Sequence, residues 1–171
     1  MVAREEEPGP VAAMFAADRA SRELGIELVR HAEGSAVLRM TVTASMVNGH
    51  GIAHGGYLFL LADTAFACAC NSYGPVTVAA GATVDFVAPA HEGDVLLARA
   101  RECVRYGRSG IYDVRVCRVI GGPTDAGPAG PHEVDPWAVE GGGGRWTEEP
   151  VAEFRGRSRT VHGPAREEES R

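Results

Sequence analysis

The sequence predicts an α+β domain in which a sheet of about five strands wraps one long core helix. The first observation is an apolar run, Tyr57–Cys70, whose one charged residue is Asp63. Such a run is typical of a helix that is buried on all sides. The second observation is that the segments around it alternate apolar and polar residues, which is the period of a strand. Together they place a helix inside a sheet.

The elements follow in chain order from local patterns. Pro10–Leu24 has apolar residues at helical spacing and Gly25 is positioned to end it, which predicts a short leading helix. Residues 26–43 alternate and predict one strand before the core helix. Four more extended stretches follow the core helix: Val76–Val87, Asp94–Tyr106, Gly110–Ile120 and Val151–His162.

The domain organisation rests on composition. Residues 121–147 are rich in glycine and proline and cannot bury enough apolar surface to offset chain entropy, so they predict a mobile insertion. We expect flexible tails at 1–9 and 163–171 and a single domain at 10–162. There is no signal-peptide pattern and no apolar run of membrane-spanning length, which predicts a cytoplasmic protein that does not bind membranes.

Charge and cysteine usage exclude several classes of function. The net charge of −6 argues against general nucleic-acid binding, yet Arg99–Arg118 holds six arginines against Glu102 and Asp113. That segment suits an anionic ligand, or alternatively its arginines line the solvated face of two strands. The cysteines lack zinc-site spacing and are interpreted as core thiols rather than as a disulfide framework or a nucleophile: Cys68, Cys70, Cys103 and Cys117.

Asp63 is the leading candidate for chemistry. Burial of an unpaired carboxylate costs several kcal/mol, so its presence in a core helix requires a reason. Alternatively, it caps a helix break or is satisfied by threonine and backbone groups. The helix start offers complementary chemistry, because His54-Gly55-Gly56 leaves unpaired N–H groups at the positive end of the helix dipole, which suits an oxyanion. The glycine pair is otherwise a tight turn.

The spacing of these two features predicts an oligomer. Gly55 and Asp63 are eight residues apart, which is roughly 12 Å along one helix axis. One small reaction centre cannot contact both groups of the same helix. If two copies of the helix lie antiparallel across a two-fold axis, the start of one comes near the middle of the other, which predicts a homodimer with two shared sites.

A family resemblance rests on motifs between about Ala12 and Arg159, outside the insertion. The motifs are Asn48-Gly49-His50, Ala53-His54-Gly55-Gly56, Ala62-Asp63-Thr64-Ala65-Phe66-Ala67, Asn71-Ser72, Thr83-Val84-Asp85-Phe86, Pro89, Gly93-Asp94 and Ile111-Tyr112-Asp113. The chain closely resembles the PaaI-type hydroxyphenylacetyl-CoA thioesterases of the hotdog superfamily. The resemblance implies an antiparallel sheet of about five to six strands around a central helix.

The resemblance also implies a reaction and its residues. The activity would be hydrolysis of a hydroxyphenylacetyl- or phenylacetyl-type CoA thioester, by a homodimer or homotetramer that needs no metal and no cofactor. Asp63 resembles the catalytic carboxylate, as general base or nucleophile, and the Gly55 N–H would polarise the thioester carbonyl. His54 and Asn48 would position substrate, water or the leaving thiolate. The substrate-binding candidates are Gly56, Thr64, Arg108 and Arg157.

Alternatives and departures stand beside this interpretation. His54 could only cap the helix, and Asn48 could only shape an Asn-Gly turn. Residues 78–82 lack a hydroxyl that some relatives use to place water, and Ala88 replaces a basic residue common in the family. The arginines that could take over its phosphate contact are Arg99, Arg101, Arg105, Arg108 and Arg157. The rival functions are a non-catalytic acyl-CoA sensor and a hotdog hydratase.

Overall fold

The computed structural model describes residues 9–121 and 147–161. The predicted insertion and both predicted tails lie outside these ranges, except for their end residues Gly9, Gly121 and Thr147. The described elements are α1 (Pro10–Ala17), α2 (Arg19–Glu23), β1 (Glu27–Ala32), β2 (Ser35–Thr41), a 3-10 turn (Ala44–Met46), α3 (Gly55–Cys70), β3 (Thr77–Phe86), β4 (Val95–Tyr106), β5 (Ser109–Ile120) and β6 (Thr147–Thr160). None of the described helices is long and apolar enough to cross a membrane.

The strands of the described ranges form one six-stranded antiparallel sheet in the order β1-β2-β4-β5-β6-β3. Inward-facing residues form its core; Leu38, Ala98 and Val116 lie opposite one another on β2, β4 and β5, and all have 0% exposure. Helix α3 lies across this face with Leu61 and Phe66 fully buried. The predicted α+β fold, an antiparallel sheet around a central helix, is confirmed.

Phe66 fixes the position of α3 over the sheet. Its ring lies 5.5 Å from the ring of Tyr112 and 5.9 Å from that of Phe154. On β6, a Cβ atom at Gly156 would lie 2.8 Å from Phe66 Cδ2, so only glycine leaves room for the ring. Gly156 therefore permits the Phe66 ring to pack directly against the backbone of β6.

Two elements that the sequence predicts as continuous are divided in the structure. In the predicted helix Pro10–Leu24, Asp18 leaves the helical conformation and its Oδ1 accepts a hydrogen bond from the Ser21 N–H at 3.1 Å, so a second helix, α2, begins. In the predicted strand 26–43, Gly34 has φ +70° between β1 and β2. The prediction of one strand there is wrong, because a left-handed glycine turns the chain into a hairpin.

Strand β6 begins at Thr147, four residues before the predicted start at Val151. Thr147 pairs with Ile120 of β5, so the predicted insertion is wrong at its last residue. The added residues carry a buried ion pair: Glu148 Oε1 lies 2.5 Å from Arg99 Nη2. The pair spans β5, because Arg99 is on β4 and Glu148 is on β6, and strand periodicity alone does not reveal it.

Helix α3 is not enclosed on all sides, so that part of the prediction is also wrong. Leu60, Asp63 and Ala67 are half-buried, Gly56 is exposed and Phe59 is 36% exposed. Positions 56, 60, 63 and 67 follow helical spacing, so they form one face, named here the open face. The described sheet covers one side of α3, and α2 covers part of another, which leaves the open face without cover from the described part of this chain.

Candidate functional site

The start of α3 has one free backbone donor. The side chain of His54 caps the helix, since its Nδ1 accepts a hydrogen bond from the Gly56 N–H at 3.0 Å. The Tyr57 N–H donates to the His54 carbonyl, and the His54 N–H donates to the Met46 carbonyl. Within the described ranges, the N–H of Gly55 has no hydrogen-bond partner. One donor is therefore available at the positive end of the helix dipole.

Gly55 also lies against the aromatic side chain of Phe86, which was not among the predicted site residues. A Cβ atom at Gly55 would lie 2.8 Å from Phe86 Cζ, at the end of β3. Phe86 is 53% exposed, so its ring borders the helix start and also faces solvent in the single chain. In the sequence, the only signal for this contact was an aromatic residue near the end of a predicted strand. No periodicity connects the end of β3 to the start of α3.

Asp63 lies two turns further along α3, on the open face. Its carboxylate has neither a hydrogen-bond partner nor an ion-pair partner among the described residues, and burial raises its pKa above the ordinary value. Helix α3 is unbroken from Gly55 to Cys70, so Asp63 does not cap a helix break. The alternative that local groups satisfy Asp63 is also excluded within the described chain. A half-buried carboxylate without a partner is typical of functional sites.

Thr64 does not join Asp63 on the open face. It is buried, its hydroxyl donates to the Leu60 carbonyl at 2.9 Å, and its oxygen lies 3.1 Å from Ser21 Oγ. Ser21 Oγ in turn lies 2.5 Å from Asp18 Oδ2. These contacts connect α2 to α3, and they place the predicted substrate-binding Thr64 inside the chain.

Asn48 shapes the loop that leads into α3. Its Oδ1 accepts a hydrogen bond from the His50 N–H at 2.8 Å, and its own N–H donates to the Ile52 carbonyl at 2.8 Å. The loop is then attached to the segment after β3, because the Ala53 N–H donates to the Ala90 carbonyl. The side-chain amide nitrogen of Asn48 donates to no described residue.

A groove of about 410 Å³ runs beside the helix start. It brings together two of the predicted site residues, His54 and Gly56, and its lining is completed by Ser45, Met46, Val47, Tyr57 and Leu60. Asp63 is not part of this lining. Because α3 is an unbroken helix from Gly55 through Asp63, the predicted separation of roughly 12 Å between these two residues is retained in the single chain.

The arginines of the sheet fall into two groups. Several are paired with carboxylates: Arg99 with Glu148, Arg115 with Glu153, Arg118 with Glu149 and Asp94, and Arg155 with Asp113. For Arg115, Arg118 and Arg155 the alternative of a solvated strand face is the better interpretation, whereas the Arg99 pair with Glu148 is largely buried. Arg108 and Arg157 are exposed and make no ion pair with a described residue. Arg108 lies in the turn between β4 and β5, whereas Arg157 lies across Gly81 on the outer face of the sheet.

The cysteines do not supply a nucleophile in the core. Cys68, Cys70 and Cys117 are buried and free, and burial raises their pKa values to about 12, about 12 and about 11. The prediction of core thiols is confirmed for these three and is wrong for Cys103, which is exposed. Within residues 9–121 and 147–161, no group of three or more His, Cys, Asp or Glu side chains could hold a metal ion.

Comparison with known proteins gives consistent matches. The profile of the Thioesterase superfamily matches residues 50–122. Acyl-coenzyme A thioesterase PaaI of Escherichia coli strain K12 is 48% identical over 104 residues, which are 61% of this chain and 74% of that protein. A putative esterase of Archaeoglobus fulgidus is 32% identical over 103 residues, which are 60% of this chain and 67% of that protein.

Solved structures agree with the sequence matches. The E. coli PaaI protein from the phenylacetic acid degradation operon superimposes with a TM-score of 0.72 at 37% identity, covering 90% of this chain and 92% of that one. A mutant of the phenylacetic acid degradation protein PaaI from Thermus thermophilus gives 0.65 at 31% identity, covering 84% and 100%. The chain therefore belongs to the thioesterase superfamily, as a thioesterase of the PaaI family with the hotdog fold.

Proposed function

We propose that this enzyme hydrolyses an aromatic acyl-CoA thioester, of the phenylacetyl or hydroxyphenylacetyl type, to the free acid and coenzyme A. The observation that carries the proposal is the pair of unpartnered groups on α3 within the described chain, the Gly55 N–H and the half-buried Asp63 carboxylate. The names of the PaaI relatives, an acyl-coenzyme A thioesterase and proteins of phenylacetic acid degradation, support the substrate class.

The chemistry assigns complementary roles to the two groups. Asp63 takes a proton from water, and the resulting hydroxide adds to the thioester carbonyl carbon. The carbonyl oxygen gains negative charge, which the Gly55 N–H stabilises from a fixed position. Collapse of the tetrahedral species breaks the C–S bond and releases the coenzyme A thiolate. Asp63 acting as nucleophile, through an acyl-carboxylate anhydride that water then hydrolyses, is the second route that the same position allows.

Both groups reach one substrate if two chains share each site. We propose a homodimer in which the Gly55 N–H of one chain faces Asp63 of the other. The open face of α3 supports this arrangement, as does β3, which is an edge strand with exposed apolar residues. An unpaired, apolar edge strand is a surface that another chain can cover. Two such dimers pairing further would give the expected tetramer in the cytoplasm.

His54 and Asn48 are proposed to position the reacting groups. Because His54 Nδ1 accepts the Gly56 N–H, the neutral ring carries its proton on Nε2, which can donate to the carbonyl oxygen or to the departing thiolate. The Asn48 amide nitrogen is a second donor near the helix start. Gly56 lines the groove and leaves room for the capping His54 ring, because a Cβ atom there would lie 3.2 Å from His54 Nδ1. Thr64 acts indirectly by holding α3 against α2.

Arg108 and Arg157 are the proposed contacts to the coenzyme A phosphates, because no described carboxylate neutralises them. The test compares each arginine-to-alanine variant on phenylacetyl-CoA and on a phenylacetyl thioester of N-acetylcysteamine, which lacks the phosphates. We expect KM to rise only for the coenzyme A thioester. Arg30→Ala, in β1 at the far edge of the sheet, is the matched control.

The function itself is tested by following thiol release from phenylacetyl-, hydroxyphenylacetyl- and fatty acyl-CoA thioesters. We expect the aromatic thioesters to have the highest kcat/KM and Asp63→Asn to lower it by about 10²–10⁴-fold. Glu33→Gln, at an exposed carboxylate in the turn between β1 and β2, is the control. Full activity of Asp63→Asn would remove the carboxylate from the mechanism, and binding of phenylacetyl-CoA without turnover by wild type would indicate the sensor function instead.

A further inference from the structure

We propose that Phe86 is the specificity-determining residue of this enzyme and that its ring contacts the aromatic group of the acyl chain. The inference rests on the proposed thioesterase function. It identifies which side chain distinguishes an aryl from an alkyl thioester, a choice that neither Gly55 nor Asp63 can make, because both act on the carbonyl group that all thioesters share.

The position of Phe86 follows from its contact with Gly55. The Phe86 ring tip lies so close to Gly55 that a Cβ atom there would be 2.8 Å from Cζ, 3.1 Å from Cε2 and 3.2 Å from Cε1. A carbonyl oxygen bound by the Gly55 N–H would lie about 2.9 Å from that nitrogen. The bound carbonyl and the Phe86 ring would then both lie against the same residue, Gly55, so an acyl chain that leaves the carbonyl on the Phe86 side meets the ring. We place the acyl chain on that side, because the exposed ring offers it an apolar surface there.

The ring is also available for contact. Phe86 is 53% exposed, and no described aromatic ring stacks on it. Its partner on β6 is Ala152, a small residue, whereas the next inward position, Val84, lies opposite Phe154, whose ring is contacted by Phe59 at 5.3 Å. The neighbouring rings of Phe59 and Phe154 are therefore paired with each other, and the Phe86 ring keeps one face without an aromatic partner in the described chain.

An aromatic acyl group gains more from this ring than an alkyl chain does. Two rings attract each other in offset or edge-to-face arrangements at centroid distances of about 4.5–7 Å, beyond the gain from buried area. A straight alkyl chain gains only the area term. Removal of the ring should therefore lower the reaction of aryl thioesters selectively, while the carbonyl chemistry at Gly55 and Asp63 is unchanged.

The experiment measures kcat/KM for phenylacetyl-CoA and hexanoyl-CoA with wild type, Phe86→Leu and Phe86→Tyr. We expect Phe86→Leu to lower the phenylacetyl/hexanoyl ratio by about tenfold, with the hexanoyl value within about twofold of wild type. Phe86→Tyr keeps the ring and should retain the ratio. Val104→Ala, an exposed apolar residue of β4 close to its turn into β5, is the control that should change neither value.

The outcomes separate this inference from the proposed function. An unchanged ratio in Phe86→Leu, or an equal loss on both substrates, overturns the role of Phe86 even if Asp63 proves catalytic. If wild type hydrolyses neither thioester, the proposed function fails. Phe86 is then tested by calorimetric binding of non-hydrolysable phenylethyl and hexyl thioether analogues of coenzyme A. If Phe86→Leu weakens the binding of both analogues equally, or of neither, the inference is overturned there as well.

Discussion

Complementation between two inactive variants tests whether Gly55 and Asp63 of different chains form one site. Asp63→Asn removes the carboxylate, and Gly55→Pro removes the N–H donor. The backbone accommodates proline at this position, because it is the first residue of α3 and its predecessor His54 already has φ −66° and ψ 131°, in the extended region that proline requires. The Cβ that proline adds would meet the Phe86 ring, so that contact needs its own control variant. Each variant alone is expected to lose activity by at least about a hundredfold.

The expected recovery follows from the proposed geometry. If each site combines Gly55 of one chain with Asp63 of the other, a mixed dimer has one intact site and one site with both substitutions. Random reassociation of equal amounts gives about half mixed dimers, so the mixture should regain about a quarter of wild-type activity. A site contained within one chain predicts no recovery, because no chain in the mixture carries both groups.

The assay is thiol release from phenylacetyl-CoA after the two purified variants are dissociated together in mild denaturant and refolded. Wild type treated identically defines full activity, and each variant refolded alone defines the background. Gly55→Ala is the matched variant for the clash with Phe86, because it adds the same Cβ but keeps the N–H donor. Mixtures that stay at background, while wild type recovers, would refute the shared site.

Three further predictions concern stability. Asp63→Asn should raise the free energy of unfolding at pH 7.5. Because burial raises the pKa of folded Asp63, wild type loses stability as pH rises through that pKa, and the difference between the two proteins should vanish at low pH, as thermal unfolding at several pH values will show. Gly156→Ala places a Cβ 2.8 Å from the fully buried Phe66 ring and should cost about 1–3 kcal/mol in urea unfolding. Glu148→Ala leaves Arg99 without its partner. Because the two side chains are only 4% and 13% exposed, the free energy of unfolding should fall by about 3 kcal/mol.

Each of these predictions has a matched control and a contrary result. Glu33→Gln, at an exposed position in the turn between β1 and β2, is the control and should change the free energy of unfolding little. An effect of Asp63→Asn that does not vary with pH would contradict the raised pKa assigned to Asp63. Gly49→Ala meets no atom within 4 Å and should be close to neutral. Glu153→Ala breaks a pair with Arg115 that is 36% and 38% exposed and should cost less than about 1 kcal/mol. An equal loss of unfolding free energy in Glu148→Ala and Glu153→Ala would show that burial does not determine how much an ion pair stabilises the fold.

Local pattern predicted the core helix and most strands, because those signals depend on neighbours in the chain. The apolar run that begins at Tyr57 became the core of α3, and β4 and β5 begin within one residue of their predicted starts. The errors came where the outcome depends on particular backbone angles or distant partners. Asp18 and Gly34 redirect the chain, and the early start of β6 includes Glu148, whose partner Arg99 is far away in sequence.

The sequence by itself determined the fold class, the family and the two groups proposed to act in the reaction. A carboxylate in an apolar helix and a glycine pair at the start of that helix can be identified from the residue types alone. Only the tertiary structure decided that α3 keeps an open face, that Thr64 is turned toward α2 and that Phe86 lies against Gly55. The reason is physical. Helical and strand periods define which side of an element is apolar, whereas the residue that fills the space beside a given atom is set by how separate elements pack.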